Sequence, residues 1–429
     1  MAVAAPAIGP TPATRGQLWA WATYDWASSP FFAVIITFVF ATYFTEAVAP
    51  DTVSGTAWWG WAMTVSALLI ALLSPVLGAI ADTGGRRKPW LLLLTLVSAA
   101  ATAALWHVRP EAAAVLPALL LVILANTTLE IGQAFYNAML PDLAPRDQIG
   151  RWSGWGWGLG YVAGIVALAL LLVLFIQTET PRLGLDKASA EHIRIVGPIL
   201  ALWLLGFALP LLLLTPDRAR STLPVGTAIR QGLRMLVQTV RDLRHYRQIA
   251  LFLLARLTYN DGLNTLFAFG GIYAAGTFGM ATAEIIRFGI ALNVSAGLGA
   301  FAFAWIDDRI GSKRTILLAL GGLLLFGSGA LLATDKNTFF WIGVAVGIFV
   351  GPAQSASRTL MARLAPPDRR TEMFGLYALT GKVTAFLGPF LFGTATALFA
   401  TQRAGMAVIL IMFVIGGLLL LLVREPARG

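Results

Sequence analysis

The sequence contains no cysteine. Disulfides and thiolate metal sites are therefore excluded, and cysteine usage says nothing of redox compartment. Histidine is almost as scarce. His107, His192 and His245 are the only three, and they form no ligand cluster, so neither metal nor cofactor is expected. No nucleophile–base pair stands out, which argues against an enzyme. Charge is sparse as well: 12% of the 429 residues are Asp, Glu, Lys or Arg, against about 25% in a soluble domain. With so little charge, much of the surface must face lipid. The net charge of +10 is then no argument for nucleic acid, because in a membrane protein the asymmetry between loops matters more than the total. Met1 to Gln17 lacks the apolar core of a cleavable signal. Abundant Ala and Gly, and arginine in excess of lysine, suggest a GC-rich bacterial genome.

What the chain has in quantity is long apolar runs, 58% of its residues being hydrophobic. About 20 apolar residues cross a bilayer as a helix. Twelve segments qualify: 18–45, 57–81, 89–108, 112–140, 152–176, 195–215, 248–276, 284–305, 314–333, 338–362, 372–399 and 404–423. The expected fold is an all-α integral membrane protein with twelve transmembrane helices in two six-helix bundles. Its parts are a tail over 1–17, a bundle over 18–215, an amphipathic linker over 216–247, a bundle over 248–424 and a tail over 425–429. Of 31 basic residues, 21 fall on the side holding both tails and the linker, seven on the other, and three inside spans (Arg256, Arg358, Lys382). That bias places both termini in the cytoplasm. In the linker, apolar residues recur at helical spacing beside Arg230, Arg234, Arg241 and Arg244. This suits an interfacial helix on anionic lipid, a brace between the halves, or a solvated linker.

The two halves repeat. Gly78-Ala-Ile-Ala-Asp82-Thr-Gly84-Gly85-Arg86-Arg87-Lys88-Pro89 lies between two apolar runs, and Ala304-Trp-Ile-Asp307-Asp308-Arg309-Ile310-Gly311-Ser312-Lys313-Arg314 returns 226 residues later. Gln133, Leu143-Ala144-Pro145, Gly154 and Gly160 recur at an offset of 221 as Gln354, Leu364-Ala365-Pro366, Gly375 and Gly381. Thr23-Tyr24-Asp25 is echoed by Thr258-Tyr259-Asn260-Asp261, with Asp261 read as the mate of Asp25. Both halves start on the same side, so the repeat is parallel.

The paired loops resemble those of the major facilitator superfamily, Gly-x-x-x-Asp-x-x-Gly-Arg-basic. The second copy departs from this with Ala304 and Ser312. Tyr24-Asp25-Trp26, Phe135-Tyr136-Asn137, Pro141-Asp142, Tyr259-Asn260-Asp261-Gly262, Gly351-Pro352-Ala-Gln354-Ser-Ala-Ser357-Arg358 and Phe374-Gly375-Leu-Tyr377 together resemble one branch: the bacterial relatives of the autophagy-linked vacuolar amino-acid effluxers. The resemblance covers nearly the whole chain apart from 177–194. It implies a secondary transporter that works by alternating access and exports amino acids. It also implies that Asp82, Arg86, Arg87, Asp308, Arg309 and Lys313 belong to gating loops.

Ionisable side chains inside spans cost about 2.5–3.5 kcal/mol each on insertion scales, so each needs a partner or a wet cavity. Asp25 precedes Pro30, which can kink the first helix. It suits a proton carrier, an amine partner, or a cap that holds the kink. Glu130 lies about 18 Å of helix before Asp142, beside Asn126, Thr127 and Thr128. It suits a proton site or a pair with an arginine. Asp261 stands beside Asn264 and Thr265. Lys382 is expected ten residues inside the eleventh helix, where it would meet a substrate carboxylate or bridge helices. Arg358 shares a helix with Gln354. Its fork suits a carboxylate, although both Arg358 and Arg256 could instead reach headgroups. The expected substrate and proton pathway is therefore Asp25, Glu130, Gln133, Asp261, Asn264, Gln354, Arg358 and Lys382. Gly156-x-x-x-Gly160-x-x-x-Gly164 reads as close helix packing. The expected function is proton-coupled export of amino acids or related small zwitterions by a monomer in a bacterial inner membrane, with lipid and a small-molecule substrate as partners. The alternatives are transport of a drug-like or lipid-like amphiphile, or a scaffold or sensor without flux.

Overall fold

The computed structural model describes residues 13–176, 182–219, 221, 225–241, 246–280, 282–382, 384 and 387–425. Outside these lie the start of the 1–17 tail, part of the 177–194 loop, parts of the 216–247 linker with Arg220, Arg244 and His245, and residues 426–429 with Arg428. In lipid every backbone N–H and C=O must be satisfied within the segment, and the apolar runs accordingly become helices.

The first set is α1 (Arg15–Val48), α2 (Thr52–Gly84), α3 (Lys88–His107), α4 (Ala112–Leu143), α5 (Arg146–Ile176) and α6 (Glu191–Leu214). The second is α7 (Arg247–Phe278), α8 (Thr282–Ile310), α9 (Ser312–Leu332), α10 (Lys336–Leu364), an eleventh segment in two pieces, and α12 (Gln402–Leu421). Ten of these are long and apolar enough to cross a membrane. The other two are α7, which carries Arg256, Asn260, Asp261 and Asn264 along its 32 residues, and the eleventh segment. Thr14 and Gln17 form a capping box at the start of α1. Asp51, Asp335 and Thr401 cap α2, α10 and α12, each supplying an acceptor for the free N–H groups of a first turn. α1 is α-helical to Pro30 and π-helical from Phe31 to Phe38. The ladder changes where proline withholds its N–H.

The eleventh segment corrects the expectation of one helix over 372–399. It is α11a (Arg370–Thr380) and α11b (Leu387–Phe399). Gly381 ends the first piece, and Pro389 lies in the first turn of the second, where a missing N–H is tolerated. Lys382 therefore sits in a turn, not inside a helix.

The sets meet through two contacts that repeat each other, α2 on α11a and α8 on α5, with α4 and α10 adding to the seam. Both contacts need small residues. A Cβ on Gly78 would lie 2.5 Å from the Thr371 carbonyl oxygen, and one on Gly154 would lie 2.6 Å from that of Ala300. On α5, Gly160 and Gly164 face Ser29 and Ala33 of α1, as the packing reading required. The seam runs along the halves of these helices nearest the arginine-rich loops, here called the basic end. Gly85 (φ 85°) and Gly311 (φ 97°) turn the chain there, each three residues after the repeated aspartate. Only glycine adopts such φ values without strain.

The linker helix (Val225–Arg241) lies along α2. Gly232 sits against Ala79 and Ile80, where a Cβ would come within 2.8 Å of backbone. Ser221 N–H donates to the Gly84 carbonyl at 3.0 Å, tying the linker to the α2–α3 turn.

Candidate functional site

Three layers of polar contact join the two sets of helices. The most buried centres on Arg358 of α10, which is 2% exposed. Its Nη1 donates to Asp25 Oδ2 (2.9 Å) and Asn137 Oδ1 (3.2 Å), its Nε to Ser153 Oγ (2.9 Å), and its Nη2 to the Ser153 carbonyl (2.5 Å). All of these partners belong to α1, α4 and α5. The Tyr136 hydroxyl also donates to Asp25 Oδ2, at 2.9 Å. Trp21 stacks on Tyr136 with ring centroids 4.5 Å apart, and the guanidinium lies 5.2 Å from the Trp21 ring, within cation–π range. Gly156 leaves room for this cluster, since a side chain there would meet Asp25 and Arg358. Asn137 and Arg358 stand at equivalent positions of the 221-residue repeat, so their hydrogen bond marks the pseudo-two-fold axis.

The second layer is a related couple of cross-links. Lys382 Nζ lies 2.6 Å from Glu130 Oε1, and the Tyr161 hydroxyl donates to Gln354 Oε1 at 2.6 Å. Tyr161 and Lys382 are repeat mates, and each reaches from its own half into the other. Glu130 and Lys382 keep 21% and 28% of their side-chain surface exposed, whereas Arg358 and Asp25 keep 2% and 10%. The Glu130–Lys382 pair is thus the more solvated of the two ion pairs.

The third layer closes the basic end. Asp82 Oδ2 accepts from the Glu372 N–H (2.9 Å) and Oδ1 from the Thr371 hydroxyl (2.7 Å), at the start of α11a. Its repeat mate Asp308 accepts from the Arg151 N–H (3.1 Å), at the start of α5. Arg151 and Glu372 are themselves repeat mates, so both carboxylates sit at helix N-termini, where anions are favoured. Around Asp82, Arg87 reaches Asp82 (3.2 Å), Asp142 (2.6 Å), Thr371 Oγ1 (2.6 Å) and the Ala138 carbonyl (2.8 Å). Burial pulls the Arg87 pKa down to about 10, against the pull of Asp82, so it stays cationic at neutral pH. Arg218 and Arg370 also bind Asp142. Around Asp308, Arg363 reaches Asp307, Asp308 and Glu425. Asp217 accepts from the Arg87 and Lys88 N–H groups, and Glu425 from those of Ser312 and Lys313. The residues that follow α6 and α12 therefore hold the starts of α3 and α9.

Against the expected sites, the structure brings Asp25 to Arg358, Glu130 to Lys382, and Asp82 to Arg87. Gln133 donates to Ser28 (2.7 Å) rather than to another expected residue. Asp261 stands apart: its Oδ2 accepts from the Gly388 N–H (2.8 Å). It is also not the mate of Asp25. Tyr24 packs against Tyr136 and Tyr259 against the equivalent Ser357, a register that pairs Asp25 with Asn260. Arg86, Arg309 and Asn264 are exposed, and Lys313 binds the Leu421 carbonyl. The sequence reading missed Tyr161, Ser153, Asp142, Arg218, Arg363 and Glu425 as site residues. The 221-residue offset marks three of them, because it aligns Tyr161 with Lys382 and Asp142 with Arg363.

The chain from residue 47 to 427 matches the family described as vacuole effluxer Atg22 like. The chain belongs to that family. Its relatives include the uncharacterized MFS-type transporter YxiO of Bacillus subtilis, 27% identical over 414 residues and 94% of each chain. They also include autophagy-related protein 22-1 of Aspergillus niger, 25% identical over 64% of this chain and 47% of that protein. In fold, the chain is similar to the major facilitator FucP in its outward conformation (TM-score 0.73, 13% identity, 96% and 99% of the two chains). It is also similar to the human organic anion transporter MFSD10 (TM-score 0.71, 15% identity, 96% and 100%). The Atg22-like chain is thus an integral membrane transporter of the major facilitator superfamily, in the branch of the vacuolar effluxers and their bacterial relatives.

Proposed function

We propose that this Atg22-like transporter exports amino acids or related small zwitterions, coupled to protons, by alternating access. The observation that carries the reading is the Glu130–Lys382 pair. It is one anion and one cation at hydrogen-bonding distance, on opposite halves and partly solvated. A zwitterion offers the complementary charges: its carboxylate replaces Glu130 at Lys382 and its ammonium replaces Lys382 at Glu130. No net charge is then left in the membrane. Protonation of Glu130 also frees Lys382, which links the site to a proton. The description of the family as an effluxer supports the outward direction. The basic loops support placing the closed end and both termini in the cytoplasm. The Bacillus subtilis relative supports a bacterial inner membrane, and the proposed working unit is a monomer.

The test is flux into proteoliposomes of purified protein, with a mixture of common amino acids outside and a proton gradient imposed. Amino-acid movement above empty vesicles is expected. Movement of an amphiphilic dye alone, or of nothing, overturns the reading. Within this scheme Asp82 switches the carrier and does not bind substrate. Asp82→Asn is expected to slow flux while changing half-saturation less than about threefold, below the ~1.4 kcal/mol of a tenfold effect. A large loss of affinity at normal exchange rates counts against a gating role.

Lipid is the second partner. On the linker helix Ile229, Leu233 and Val237 form an exposed apolar stripe, with the exposed Arg230 and Arg234 beside it and Gly232 turned to α2. That order suits a helix lying in the headgroup layer. Each arginine near an anionic surface contributes about 1 kcal/mol. Arg230→Gln with Arg234→Gln is therefore expected to remove the difference in flux rate between vesicles with and without phosphatidylglycerol. An undiminished difference rejects the assignment.

A further inference from the structure

We propose that Arg256 and Asp261 of α7 are positioning residues that hold the eleventh segment open, each satisfying one of the two broken helix ends, and so set the reach of Lys382 toward Glu130. An interrupted helix inside a bilayer exposes carbonyl groups at one end and N–H groups at the other, with no water to satisfy them. The ends also carry opposite partial charges, negative at a C-terminus and positive at an N-terminus.

The charges on α7 match this pattern. Arg256, 8% exposed, donates through Nη1 to the Tyr377 carbonyl (2.7 Å) and to Thr380 Oγ1 (2.9 Å). Those groups lie in the last turn of α11a. Its guanidinium also lies 3.4 Å from the centroid of the Tyr377 ring. Asp261, 2% exposed, accepts from the Gly388 N–H at 2.8 Å, in the first turn of α11b. A cation thus meets the carbonyl end and an anion meets the N–H end. The two lie five residues apart, about 7.5 Å along α7, which is a rigid ruler for the width of the break. Gly388 is required for this contact, because a side chain there would collide with Thr265. Between the two ends, Lys382 N–H closes a turn on the Leu379 carbonyl (3.0 Å), and the Lys382 side chain crosses to Glu130. Asp261 Oδ1 makes no hydrogen bond among the described residues, so the capping bond is the one this side chain makes there.

The inference rests on the transport reading only in giving Lys382 a task; its test needs no substrate. Zero-length carbodiimide coupling of Glu130 to Lys382, quantified by mass spectrometry on the whole protein in liposomes, reports the reach directly. Asp261→Asn keeps an acceptor for Gly388 and is expected to couple as the parent does. Asp261→Leu and Arg256→Leu are each expected to lower the yield about tenfold, the scale of one lost charge-assisted hydrogen bond. Arg256→Gln, which keeps a donor for Tyr377, falls between. Parental yield in Asp261→Leu, equal losses in Asp261→Asn and Asp261→Leu, or no coupling in the parent each overturns the proposal. Should the leucine variants fail to fold, Asp261→Asn and Arg256→Gln still decide: parental yield in Asp261→Asn with a reduced yield in Arg256→Gln supports positioning, and parental yield in Arg256→Gln rejects it. Absent amino-acid flux with intact coupling would reject the transport reading and leave this inference standing.

Discussion

Arg358→Ala is expected to be the most damaging single substitution in the chain, lowering stability by about 3–5 kcal/mol, the cost of stranding one member of a buried ion pair. Asp25 would be left 7% exposed with Tyr136 as its remaining donor, and Ser153 would lose both bonds it accepts from the guanidinium. Arg358→Lys is expected to recover little. A single ammonium cannot hold Asp25, Asn137 and both Ser153 oxygens, which the planar fork reaches together. Thermal unfolding of the purified variants in detergent checks both expectations.

The double variant Asp25→Leu with Arg358→Met separates charge from shape. Replacing a buried pair by apolar groups of similar volume is often neutral or stabilising, so folding is expected to return. The link between the halves would not, because every polar partner of Arg358 lies in the first half. The basic end is then expected to open more often. A cysteine placed near the seam, in a chain that has none of its own, should react faster with a water-soluble maleimide than in the parent. Equal stability of the single and double variants would show that Asp25 tolerates solitude, as a proton carrier must.

The sequence made some of this legible and hid the rest for physical reasons. Helices are local, so eleven of the twelve apolar runs appear as continuous helices near their expected limits. The repeated aspartates were legible because repetition is itself a signal. What Asp82 holds was not, since its acceptor bonds go to Thr371 and Glu372, 289 and 290 residues away. By local sequence alone, Arg358 and Asp25 are two separate charges, each open to a substrate. Their separation of 333 residues leaves no local trace of the pair they form. Chemical type pairs Asp261 with Asp25, whereas packing of Tyr24 and Tyr259 sets the register at Asn260. The break in the eleventh segment did leave a signal in Gly381 and Pro389. A strongly apolar run outweighed it, because the counter-charges that make a break tolerable sit on α7, more than a hundred residues earlier.

Lys382→Ala is expected to weaken zwitterion binding by about 10- to 150-fold, as loss of one charge-assisted contact worth roughly 1.5–3 kcal/mol. Esterifying the carboxylate of the bound amino acid should weaken binding to the parent and add little in the variant. Because Lys382 already meets Glu130 at 2.6 Å, the single variant also leaves Glu130 without its cation, and some loss of stability is expected. The pair is partly solvated, so that loss should be smaller than for Arg358→Ala, whose partners are buried. Glu130→Gln with Lys382→Met removes both charges and should restore stability without restoring affinity. Glu130→Gln alone should abolish uptake driven by a pH gradient yet leave exchange between equal pools, since the amide still accepts from Lys382 but carries no proton cycle. If the double variant regains affinity as well as stability, the pair is a structural bridge and zwitterion recognition must lie elsewhere. If Glu130→Gln is driven normally by the gradient, the coupling proton belongs to another acid. Only loss of affinity in the double variant, together with loss of gradient drive in Glu130→Gln, supports a substrate that enters by dividing this pair.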